Sequence, residues 1–253
     1  PDRSKNIGEI PVQESVSSTG GLNYAIPIQT ASGRPTLPVS LNIMYSSQGG
    51  SGYMGFGWTL NGLSMINEVS YNIYYNTKTE PLKLSKLGQF ALDGTKLIKI
   101  SENTTQITYQ SEQGNIKAVA NLNGNTIKYF NVYYPNGNIA VYGYETNGVQ
   151  QIYYPLTKLQ DIHGNIILYT YTLRNEQYYI SKIEYGGTAS LAHFASIEFS
   201  YNTRSDISTL YLSGRTIIKD WLLNSIICKS SGTAIRTYTF TYQYVNNMTL
   251  VQK

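Results

Sequence analysis

Charge is scarce in this chain: Asp, Glu, Lys and Arg together make 13% of its 253 residues, against about 25% in an ordinary globular protein. Nineteen basic residues against fifteen acidic ones leave +4, scattered so that no run of like charges reaches three residues. That excludes a linear electrostatic footprint for nucleic acid. The single cysteine, Cys228, excludes an internal disulfide framework and a cysteine-built zinc site. It closes the apolar stretch Leu222–Cys228 and is expected to be a buried small hydrophobe. No stretch of eighteen apolar residues exists, so no membrane-crossing helix is expected. Helix signals are nearly absent: Ile217–Ile226, the best candidate, lacks caps and reads mostly as strand.

What the chain has instead is tyrosine and glycine, 24 and 22 residues respectively. Tyrosine favours half-buried sheet faces. The hydrophobic period is two almost throughout. Ile167, Tyr169 and Tyr171 fall on one face of 166–172, and Ile166, Leu168, Thr170 and Thr172 on the other. Asn138–Tyr144, Ser196–Tyr201 and Tyr238–Tyr244 alternate in the same way, as half-buried strands do. Gly-Asn recurs at 114–115, 124–125, 137–138 and 164–165, each time before a strand pattern. Asn123-Gly124 and Asn136-Gly137 predict two-residue hairpins with type I′ turns. The expected fold is all-β, an antiparallel meander of hairpins forming a curved sheet or partial shell. Residues 1–20 read as a polar lead-in and 21–253 as one continuous β-rich domain. A connecting loop at 76–89 marks a possible sub-boundary.

Few residues point to chemistry. Asp161 and His163 share the turn Asp161–Asn165, where the aspartate is expected to accept from its own turn backbone and the histidine to be solvated. His193, the other histidine, precedes a strand. Glu184 and Glu198 sit on neighbouring predicted strands, and paired carboxylates are the tools of glycosidases. Single glutamates on alternating strands more often face solvent. No G-x-S-x-G, Walker or G-x-G-x-x-G motif is present. The Asn-x-Thr sequons at Asn103 and Asn247 carry meaning only in a eukaryotic secretory source. No catalytic residue, metal or cofactor is expected.

The densest signal is Leu41–Ile66, where six glycines from Gly49 to Gly62 interleave with Tyr53, Met54, Phe56, Trp58 and Leu60. Glycine supplies positive φ and close backbone approach, and the large side chains supply area to bury. The segment VSSTGGLNYAIPIQTASGRPTLPVSLNIMYSSQGGSGYMGFGWTLNGLSMI closely resembles the opening of SpvB-type domains. Such domains begin the B components of Tc toxins and related bacterial virulence proteins. The resemblance rests on Tyr24–Ile28, on the Gly-x-Gly-Trp-x-Leu-x-Gly-Leu-Ser block Gly55–Ser64, and on Phe90–Leu97 with its Asp93-Gly94 turn. Tyr129–Val132 and Pro135–Gly143 continue it. Tyr154–Asn165 is similar to the element that introduces Rhs (YD) repeats, with Tyr154 where tryptophan is usual. Its structural signature residues are Gly55, Gly57, Trp58, Gly62, Asp93, Gly94, Asp161, Gly164 and Asn165.

The resemblance implies a non-catalytic segment of a secreted or surface-exposed bacterial toxin-like protein, part of a β shell or docking wall. It implies a protein partner, or the carboxy-terminal continuation of the same polypeptide, and no nucleic acid. The chain opens at Pro1 without an initiator methionine, as an excised piece or processed product would. The alternative is a surface adhesin or glycan-binding module using exposed tyrosines.

Overall fold

The computed structural model describes residues 12–144, 151–246 and 248–252. The amino-terminal part of the predicted lead-in and Asn247 lie outside them. The first sheet is antiparallel, with strands β1 (Gln13–Val16), β2 (Leu22–Pro27), β3 (Asn42–Ser46) and β6 (Trp58–Asn61) in that spatial order. Between β3 and β6 the glycine-rich segment forms a minimal hairpin of β4 (Ser51–Gly52) and β5 (Gly55–Phe56).

A second sheet carries thirteen strands. Its first eight are β7 (Met65–Val69), β8 (Gln89–Leu92), β9 (Thr95–Glu102), β10 (Gln106–Ser111), β11 (Lys117–Asn123), β12 (Thr126–Tyr133), β13 (Ile139–Tyr142) and β14 (Tyr153–Gln160). They run as sequential hairpins up to β13. Then β14 returns to pair with both β13 and β7, which closes these eight strands into a barrel. The amino-terminal half of β14 pairs with β7, and its carboxy-terminal half pairs with β13 on one edge and β15 (Asn165–Arg174) on the other. The sheet therefore branches at β14 and runs on through β16 (Gln177–Thr188), β17 (Ala195–Leu212), β18 (Arg215–Ser230) and β19 (Thr233–Thr239). A last hairpin joins β20 (Tyr242–Val245) to β21 (Met248–Val251).

Eight strands enclose just enough room for side chains, and the interior is full. Phe130 meets Phe90 at 5.3 Å and Tyr154 at 5.0 Å between ring centroids, both near edge-to-face. Ile66, Ile107, Ile127 and Val132 are fully buried among them. The Tyr154 hydroxyl donates to the Ile127 carbonyl at 3.2 Å, as a buried phenol must to offset its desolvation. The barrel interior is thus a packed core.

The all-β antiparallel meander matches the sequence expectation, and Ile217–Ile226 is strand, inside β18. Closure of its first half was not expected. The one α-helix among the described residues, α1 (Ile73–Asn76), is a single turn capped by Asn72. Residues 77–88 connect it to β8, where a loop was expected at 76–89.

Two local expectations need correction. Tyr238–Tyr244 is not one strand: it breaks at Phe240–Thr241, so β19 stays on the large sheet while β20 pairs with β21. The type I′ turns also lie elsewhere. The Asn123/Thr126 pair makes Gly124 and Asn125 the turn centres, and only Gly124 has positive φ, +59°, which is type II′. Around Asn136-Gly137 the loop is three residues long, with Gly137 donating to Tyr134 and Tyr134 to Asn138. Positive φ at both centres occurs instead at Asp93-Gly94, Asn175-Glu176, Ser213-Gly214 and Ser231-Gly232.

Candidate functional site

Among the described residues, the branched sheet ends at β19, whose outer side pairs with no strand, while β13 at its other end is closed onto β14. Six of the seven residues of β19 are exposed, Ile235 among them at 51%. Only Tyr238 is tethered, its hydroxyl accepting from the Gln29 N–H at 2.9 Å. An exposed strand with unpaired backbone groups on one side is a template for another strand.

The first sheet supports the branch from one face. Tyr185 on β16 donates to the Ala31 carbonyl at 3.0 Å, and Arg34 donates to the Gly186 carbonyl. Tyr53, from the β4–β5 hairpin, meets Tyr179 and Tyr201 edge-on, and its carbonyl accepts from the Leu223 N–H at 2.7 Å. Deeper still, Arg204 on β17 is buried and forms a two-pronged ion pair with Asp206, with both contacts at 2.7 Å. The same guanidinium donates to the Gly52 carbonyl and the Ser51 hydroxyl, while Asp206 accepts from the Thr249 N–H at 3.0 Å. One charge pair therefore ties β17, the glycine hairpin and β21 together. Burial alone raises the Asp206 carboxyl, but the hydrogen bonds from Arg204 and Thr249 outweigh it and bring its pKa down to about 2. Sequence reasoning missed this pair. The available signal was spacing: an Arg and an Asp two apart on a strand share a face.

The structure places the signature residues in turns and close approaches. Gly55 and Gly57 have φ of +84° and +77°, and a Cβ on Gly57 would sit 2.8 Å from the Ser46 carbonyl oxygen. Trp58 pairs with Tyr45 across β6 and β3, rings 5.1 Å apart. Gly62, at φ +105°, packs so tightly that a Cβ would lie 2.2 Å from the Ser40 oxygen. Asp93 and Gly94 form the β8–β9 turn, where the Asp93 carboxylate accepts from the Ser64 hydroxyl at 2.6 Å and the Met65 N–H at 2.8 Å. Asp161 accepts from the His163 and Asn165 N–H groups, the Asn165 side chain and the Thr36 hydroxyl. Burial opposes ionisation there too, yet those donors bring its pKa down to about 2. Gly164 supplies the positive φ, +79°, that closes the turn. His163 is exposed, as expected of a solvated turn residue. None of these groups converges on a common reactive point.

Glu184 and Glu198 do come to one face. Glu184 lies opposite Ser196 and Glu198 opposite Lys182, which makes the two residues diagonal neighbours, their Cα atoms roughly 7–8 Å apart in a regular ladder. Each is committed to a lysine, Lys182 at 2.8 Å and Lys229 at 2.6 Å. They line a shallow depression with His193. Seven of the 24 tyrosines, Tyr109, Tyr142, Tyr154, Tyr169, Tyr178, Tyr179 and Tyr185, are buried, whereas Tyr74 and Tyr211 are the most exposed of those described. Cys228 is fully buried, as expected.

The family described as Salmonella virulence plasmid 65kDa B protein, SpvB, matches residues 16–227. No curated protein matches the chain. Among solved structures, the N-terminal domain of effector protein SpvB from Salmonella typhimurium strain LT2 aligns with a TM-score of 0.74 at 15% identity, over 90% of this chain and 96% of that one. The TcdB2-TccC3 structure aligns with a TM-score of 0.78 at 14% identity, covering 96% of this chain but 16% of that one. The Photorhabdus luminescens Tc holotoxin pore aligns at 0.73 and 15% identity, over 99% of this chain and 16% of that one. The chain thus spans about a sixth of the length of the Tc toxin chains it matches. At these identities the likeness is one of fold.

Proposed function

Given that the chain belongs to the SpvB family, we propose that it is a non-catalytic structural segment of a secreted or surface-exposed bacterial toxin-like protein. Its packed barrel acts as a rigid base, and the branch β15–β19 acts as a wall that offers its β19 edge to another strand. That strand comes from a protein partner or from the continuation of the same polypeptide, in the manner of a β shell. The observation that carries this reading is the exposed outer side of β19 on a sheet whose other end is closed. Backbone pairing at such an edge supplies affinity, and alternate side chains supply selectivity.

The test is size-exclusion chromatography with light scattering, followed by capture from the envelope and secreted fractions of the source bacterium. Both are run on the chain and on Ile235→Lys, which places a charge on the exposed strand. The expected result is self-association or one discrete partner, weakened by the lysine. A monomer that captures nothing, or a partner indifferent to Ile235→Lys, would sink the proposal.

A further inference from the structure

Five of the nineteen basic residues fall within residues 78–99 and gather at one place. Lys78, Lys83, Lys86, Lys96 and Lys99 line a single cavity of about 690 Å³, between the segment that follows β7 and strands β9 and β10. Ligand sites typically measure about 300–1,000 Å³. Two carboxylates are each shared by two of these lysines. Glu80 takes Lys78 at 3.0 Å and Lys83 at 2.7 Å, and Glu102 takes Lys86 at 2.8 Å together with Lys99.

Lys96 differs from the rest. Its ammonium donates to the neutral Gln89 side chain and lies 5.4 Å from the centre of the Tyr75 ring. Burial lowers its pKa, while Glu112, itself held by the Tyr75 hydroxyl, acts in the opposite sense. Five ammonium groups against Glu80, Glu102, Glu112 and Glu68, which sits beside Gly88, leave at least 5 − 4 = +1 around the cavity. An ammonium withdrawn from water without a carboxylate contact is stabilised by an incoming anion.

A second observation is independent of charge. Tyr109 forms part of the cavity wall, is 2% exposed, and its hydroxyl has no hydrogen-bond partner. Inside the barrel Tyr142 and Tyr154 both have partners; the hydroxyls of Tyr171 and Tyr179, away from the cavity, lack one as Tyr109 does. A buried hydroxyl left without one is uncommon and calls for an explanation. A ligand oxygen brought against the Tyr109 hydroxyl would supply the missing acceptor.

We propose that this cavity binds a small polyanion bearing two or more sulfate or phosphate ester groups on a ring-sized body. Lys96 and Tyr109 are the inner donors, and Lys83, Lys86 and Lys99 form the rim. The proposal stands on the cavity alone and is independent of the β19 edge.

Isothermal titration of the 253-residue chain with inositol hexakisphosphate, and separately with a sulfated heparin tetrasaccharide, tests it. Binding of either probe at low salt is expected to weaken as screening shortens from ~30 Å at 0.01 M to ~3 Å at 1 M. The probe that binds more tightly identifies the ester. Lys96→Gln is expected to weaken binding about tenfold, the scale of one charge-assisted hydrogen bond. Tyr109→Phe, which leaves the packing intact, is expected to weaken it as well, and Lys229→Gln on the other depression to change nothing. Absence of heat with both probes would overturn the proposal. So would an affinity that survives both Lys96→Gln and Tyr109→Phe, because the ligand would then sit elsewhere.

Discussion

Replacing Arg204 by methionine keeps most of the side-chain volume and removes all four donated hydrogen bonds, two to Asp206 and one each to Gly52 and Ser51. The Arg204 side chain is 1% exposed and that of Asp206 9%, so water cannot take the lost partner's place. A buried carboxylate stripped of its cation costs about 3–5 kcal/mol. For a chain of this size that lowers Tm by roughly 6–20 °C. Adding Asp206→Leu removes the orphaned charge, so the double variant should be more stable than Arg204→Met alone. The sign of the pH dependence follows from the carboxyl. Its folded pKa of about 2 lies below the unfolded value of 3.8, so the pair's contribution is present above pH 4 and lost as pH falls toward 2. That contribution is about 2 kcal/mol. In Arg204→Met, burial acts on Asp206 without the guanidinium and favours protonation, so the deficit should shrink on acidification. Urea unfolding followed by tryptophan fluorescence, at neutral pH and near pH 3, measures all of this. A loss below about 1 kcal/mol for Arg204→Met, a double variant weaker than the single one, or a deficit that grows in acid would refute the reasoning.

Gly62→Ala should cost more than ~3 kcal/mol in the same assay, since its Cβ would meet the Ser40 oxygen at 2.2 Å. Gly94→Ala, with similar positive φ but open space around it, should cost only the left-handed penalty of ~1–2 kcal/mol. Glu176 holds φ of +64° without being glycine, so Glu176→Gly should stabilise by up to ~1 kcal/mol, less the exposed Arg215 ion pair it gives up. Cys228 is fully buried, and burial pushes its thiol up to about 11. A thiol reagent should therefore modify it only on unfolding, and rapid labelling of the native chain would contradict the packing described here.

Side-chain period carried most of what was legible beforehand. Ile197 and Phe199 are buried between half-buried Ser196 and Glu198, as alternation requires. The same logic reaches its limit at Asn202–Thr209, a polar stretch that continues β17 through an irregular register between Thr203 and Ser208. There the buried face belongs to Arg204, so hydrophobicity gave no sign of a strand. Turn type was half legible. Glycine marked where the chain reverses, but loop length depends on pairing register, and a Gly-Asn dipeptide fits two- and three-residue loops equally. Barrel closure was not legible. It depends on Met65–Asn67 meeting Tyr153–Pro155 across nearly ninety intervening residues, and alternation specifies a face without naming a partner. The lysine cavity escaped for a related reason: its five lysines stand singly within residues 78–99, and only the fold turns the loop and strand that carry them toward one another.

The closed end of the large sheet also limits stoichiometry. Indefinite head-to-tail stacking through one sheet needs two free edges, one to give and one to receive. With β13 sealed onto β14, two copies pairing through β19 would use up both edges and halt at a two-fold dimer. The same closure that makes the barrel rigid leaves β19 as this sheet's one unsealed terminal strand, so two copies joined edge to edge through it form a closed pair instead of a growing ribbon.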